Sequence, residues 1–184
     1  MAKWLSRILG DSSDSNLVPT DTSSGGVYSG LRLQALSTKR ADAGIMRPPA
    51  DAPVWGILME TGYPGATSTL FALSDGTTSL YLSSGVGIIG GHARQNVRQA
   101  NAGFIQMANR YWRDMAHTEE FPVPVAGETV FYILTDAGLL TARGGEEELG
   151  NGSHPLAALF FAGHEVIAQL SLISGDSGVN AIEE

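Results

Sequence analysis

Two runs of strand-forming residues, 66–74 (ATSTLFALS) and 77–83 (TTSLYLS), are joined by Asp75-Gly76. An Asp-Gly pair between such runs is the strongest short-range hairpin signal, because the turn needs positive φ angles that glycine adopts at little steric cost. A hairpin makes its two strands antiparallel neighbours. A sheet built only from parallel crossover units is therefore excluded for this part of the chain.

The remaining elements follow from periodicity. Residues 54–61 (VWGILMET) form a short apolar run that reads as a strand, and Gly62, Tyr63, Pro64 and Gly65 follow it as a turn. A long helix is expected over residues 93–116. Val97, Ala100, Phe104, Met107, Ala108 and Tyr111 share one face, and arginines and amides fill the other. Residues 128–135 (ETVFYILT) read as a strand, which turns at residues 136–138 into a further strand over 139–143. The segment GGEEELGNGS reads as an acidic, glycine-rich loop. The last helix, PLAALFFAGHEVIAQLSLI, is apolar nearly all round and is expected to be well buried, with Pro155 in its first turn and Gly163 as a bend.

The expected fold is thus α+β. A mainly antiparallel sheet of about five strands, in the order β-β-β-α-β-β-α, is covered by one long amphipathic helix and a C-terminal apolar helix. This order is similar to that of small profilin-like and roadblock-like domains. The likeness is one of topology only, and no motif carries it.

Residues 1–52 read as an N-terminal arm, 53–175 as a single domain and 176–184 as a frayed tail. Residues 1–9 have the spacing of one short amphipathic helix, with Lys3 and Arg7 on one side and Trp4, Leu5, Ile8 and Leu9 mainly on the other. The Ser-, Asp-, Thr- and Gly-rich stretch over 11–30 reads as a linker. A helical turn or two is expected within 31–40, before RPPADAP stiffens the approach to the body.

Charge is unevenly distributed. Residues 1–52 hold six basic and five acidic side chains (+1), whereas 53–184 hold five basic and fourteen acidic ones (−9), which together give the net −8. An acidic domain repels nucleic acid. The chain has no cysteine, which excludes a disulfide scaffold, a thiolate metal site and a cysteine nucleophile. The reducing cytoplasm is the expected compartment. No run is long and apolar enough to span a bilayer, and contact of the N-terminal helix with a membrane would be weak.

Gly85, Gly87 and Gly90 spell G-x-G-x-x-G after a strand and before a helix. Here the strand belongs to a hairpin, and no acid ends a second strand about twenty residues on, so a dinucleotide fingerprint is not supported. A phosphate- or carboxylate-binding loop using Gly87, Gly90, Gly91, His92 and Arg94 is the ligand hypothesis these residues allow. His92, His117, His154 and His164 include no i, i+4 pair, and H-E-x-x-H is absent, so no metal site is expected. No G-x-S-x-G occurs, and Asp75 and Asp136 are explained by turns. Glu60 and His92 are the residues an unfamiliar enzyme would use.

Four of the body's five basic residues, Arg94, Arg98, Arg110 and Arg113, fall on the long helix. The leading expectation is a non-catalytic protein-interaction or assembly module, a homo-oligomer without cofactor. Trp4, Arg98, Arg110 and Arg113 would contact the partner, which offers acid such as Glu146, Glu147 and Glu148 of a neighbouring copy. The alternative is a small-ligand or phosphate-binding domain using the Gly85–Arg94 loop.

Overall fold

The computed structural model describes residues 24–85, 87–89 and 94–176. Trp4 and the short helix expected over 1–9 lie outside them, as do Gly90, Gly91, His92 and most of the expected C-terminal tail.

The chain is α+β, with one antiparallel sheet. Helix α1 (Ser24–Ser37) precedes β1 (Gly56–Tyr63), β2 (Ala66–Leu73), β3 (Thr78–Leu82) and β4 (Gly87–Ile89). Helix α2 (Gln95–Tyr111) and a 3-10 turn (Trp112–Asp114) lead to β5 (Ala116–His117). Strands β6 (Glu128–Thr135) and β7 (Gly138–Gly145), then α3 (Glu146–Gly150) and α4 (Ala157–Asp176), complete the order. The sheet runs β4-β3-β2-β1-β6-β7-β5, so the strands number seven where about five were expected. The two that periodicity missed, β4 and β5, have three and two residues, too short to show an alternation.

Hairpin turns set the register. Pro64-Gly65 joins β1 to β2, with Tyr63 opposite Ala66 and Gly65 at φ +77, the position where a type II turn wants glycine. Between β2 and β3 the loop is Ser74, Asp75, Gly76 and Thr77. Gly76 has φ +95, and the Asp75 carboxylate accepts from the Thr77 N–H at 2.8 Å and the Thr77 hydroxyl at 3.0 Å. Asp136-Ala137 closes β6 onto β7. The segment before β6 crosses the end of β1. Gly127 N–H donates to Gly62 O at 2.9 Å, and a side chain at Gly62 would run into the Val125 carbonyl.

Alternation along the strands creates two buried faces. Ile57, Met59, Leu70, Ala72, Phe131 and Ile133 point to the α2–α4 side, where Val97, Phe104, Leu159, Val166 and Leu170 meet them. Leu58, Leu73, Val130, Tyr132 and Leu134 point to the other side, which Ala35 and Leu36 of α1, Ile45 and Trp55 cover. The second layer has its helix from Ser24, inside the stretch whose composition reads as linker. Helix α2 ends at Tyr111, earlier than expected, and the chain tightens through the 3-10 turn so that Met115 still reaches the core. Gly163 does not interrupt α4. It lets the helix approach β1, because a Cβ there would lie 2.6 Å from the Met59 sulfur.

Candidate functional site

The glycine segment is built for close chain passage where it is described. Gly85 (φ +97) donates its N–H to Leu82 O at 3.0 Å and closes a turn. Gly87 lies in β4 opposite Tyr81, where a Cβ would sit 3.3 Å from Leu80 O. The β3–β4 pairing is antiparallel, as the hairpin reading requires. Arg94 is exposed at the N-cap of α2. The other members of the ligand hypothesis, Gly90, Gly91 and His92, lie outside the described residues.

The helical layer carries two of the residues expected at a partner surface. Arg98 and Arg110 are exposed on the outer side of α2, with Gln99, Ala102, Gly103 and Gln106 between them. Twelve residues of helix place these two arginines about 18 Å apart along the axis. Arg113 belongs elsewhere. It sits in the 3-10 turn, with its guanidinium over the Trp112 ring at 4.5 Å from the centroid. Beside α2 runs α4, tied to it by Asn96 Nδ2–H donating to Gln169 Oε1 at 2.6 Å.

Helix α4 is not buried all round, as its composition suggested. Ala158, Phe161, Glu165, Ala168 and Leu172 are exposed at spacings of three, four, three and four residues. Phe161 is 49% and Leu172 63% accessible. Such spacing forms a single seam along a helix, the pattern that packs against another helix. It was present in the sequence, marked by Glu165 as the one charge in it, but the apolar character of the whole helix hid it. At the start of α4, the short α3 packs against it, with Glu147 and Glu148 exposed. The acidic loop expected here is therefore a helix. Its glutamates fill the first turn, where the helix dipole favours negative charge.

Glu60, a candidate acid by sequence, is in the middle of the sheet on the α1 side and is 0% accessible. Arg32 of α1 donates from Nε to Glu60 Oε1 at 2.8 Å and from an Nη to Oε2 at 2.7 Å. Thr69 donates to Oε1 at 2.9 Å and shares a hydrogen bond of 3.0 Å with the Tyr28 hydroxyl. Burial raises the Tyr28, Tyr81 and Tyr132 hydroxyls above their ordinary pKa, and the Glu60 charge adds to this. The pair Glu60–Arg32 thus links helix to sheet, with both carboxylate oxygens occupied. Sequence reasoning missed Arg32, because no local pattern relates it to a strand residue 28 positions on.

Among the described residues no group of three or more His, Asp or Glu side chains could hold a metal ion. No helix among them is long and apolar enough to cross a membrane. No protein-family model, no curated protein and no solved structure matches this chain.

Proposed function

We propose that this chain is a non-catalytic assembly module that pairs with a second copy of itself through the α2–α4 layer. The observation that carries this reading is the exposed α4 seam of Ala158, Phe161, Ala168 and Leu172 beside the arginine-bearing face of α2. An apolar seam at alternating three- and four-residue spacing gains free energy by burial against a helix of matching pitch. A second copy supplies that helix, and it also supplies charge complementarity. Helix α2 carries Arg98 and Arg110 without an acid, whereas the α3 end of the layer presents Glu147 and Glu148. A twofold axis brings each patch onto its opposite in the other copy. The occupied state of Glu60 favours a structural role for the body's best-buried acid. Within this reading the module works in the cytoplasm, and its N-terminal segment is a second contact element.

Light scattering on the full chain at about 50 μM, where micromolar dimers are populated, tests the idea. The expected mass is twice 19.3 kDa. Phe161→Glu, and separately Arg98→Glu with Arg110→Glu, should yield monomers of unchanged thermal midpoint. Adding Glu147→Lys and Glu148→Lys to the arginine pair should restore the dimer. A monomeric wild type, or a dimer indifferent to all these changes, rules the proposal out.

A further inference from the structure

We propose that a cleft at the end of the sheet, distinct from the helical layer, binds a small aromatic carboxylate. The cleft has a volume of about 720 Å³, within the range of small-molecule sites. Three structural pieces enclose it: the 48–53 segment, the turn after α2 and the β6–β7 loop. None of its lining residues belongs to α4.

Its walls are flat and apolar. Pro48, Pro49 and Pro53 contribute to them, together with Trp112, Met115 and Leu140. Prolines and an indole lose little conformational freedom when they pack on a planar ring, so they suit an aromatic body. The Trp112 Nε1–H is buried without an acceptor, so one wall already contains an unsatisfied donor.

The rim is cationic in a chain of net charge −8. Arg47 and Arg113 line the cleft, against a single acid, Asp136. That acid is already engaged, because Arg40 Nε donates to its Oδ1 at 2.7 Å. A cationic ligand would have to displace Arg40. An anion instead meets Arg47, whose side chain is 82% accessible and lies 3.7 Å from Asp136, and Arg113 above the Trp112 ring. Arg47 is thus held loosely enough to turn from Asp136 to a ligand carboxylate, which its planar fork matches in a bidentate pair. One carboxylate on an aromatic body satisfies rim and walls together. Inorganic phosphate satisfies only the rim.

Calorimetric titration of the full chain with 2-naphthoate, and with uncharged 2-naphthamide, tests the site. Naphthoate should bind at one saturable site with a Kd between about 10 μM and 1 mM, and the amide at least about tenfold more weakly. Arg47→Gln and Arg113→Gln, both exposed side chains, should each weaken naphthoate about fivefold at an unchanged thermal midpoint. Arg143→Gln, away from the cleft, should not weaken it. The proposal is overturned by equal binding of acid and amide, by silence up to about 5 mM, or by wild-type affinity in both cleft variants. Saturable binding of inorganic phosphate at matching affinity would also overturn it, because the walls would then contribute nothing.

Discussion

Glu60 shows how one residue changes meaning between sequence and structure. By type and position it is an acid in an apolar strand, available for chemistry. In the fold it is fully buried and paired with Arg32 from the opposite layer. Taking such a pair out of water is expensive, and its attraction roughly offsets that cost, whereas removing one partner leaves a buried charge alone. Arg32→Met is therefore expected to destabilise the chain by about 3–5 kcal/mol. Arg32→Met with Glu60→Met should recover most of that loss. Urea midpoints of the two variants decide it: a double variant as unstable as the single one would show that the loss comes from packing rather than from the stranded carboxylate. The partner-surface arginines divide in the same way. Arg98 and Arg110 kept the helical solvent face that spacing assigned them, whereas Arg113, though exposed, leaves that face because α2 tightens into a 3-10 turn one residue before it.

At the scale of elements, the hairpins and the long amphipathic helix were legible because their signals are local. Asp-Gly, Pro-Gly and a 3.6-residue period each act within a few residues of chain. Helix α1 was not legible over its first half. SGGVYSG has poor helix propensity and the composition of a linker. What makes it helical is burial of Tyr28, Ala35 and Leu36 on a sheet face that, among the described residues, no other helix covers. A chain lacking residues 1–37 should expose Leu58, Val130 and Tyr132 and leave Glu60 without Arg32. It is expected to bind the dye ANS strongly and to lose its cooperative thermal transition. A sharp transition with little dye binding would show that α1 is dispensable to the body. Strands β4 and β5 and helix α3 escaped notice for a different reason: each spans fewer than two full periods of its own pattern.

For the whole molecule, the clearest titration belongs to His164 on α4, whose pKa burial pulls down to about 4. The folded state therefore binds this proton less readily than the unfolded chain, which takes it up near the ordinary value of 6.5. The sign follows from linkage: the contribution is complete above pH 6.5 and is lost as pH falls from there to about 4, roughly 3 kcal/mol in all. His164→Gln removes that loss. The stability difference between wild type and variant, measured by urea unfolding at pH 7 and pH 4, should thus shift by up to about 3 kcal/mol in the variant's favour on acidification. A constant difference would place the proton elsewhere. At this same scale the division between sequence and structure is plain. Composition and local pattern alone determined the α+β class, the antiparallel hairpins and the polar face of α2, since each depends on neighbours within a turn or two of chain. Tertiary structure decided which face of α4 stays open, that α1 closes the sheet, and that Glu60 meets Arg32 and not solvent. These depend on pairings between residues tens of positions apart, and burial, which no short window of sequence contains, selects among them.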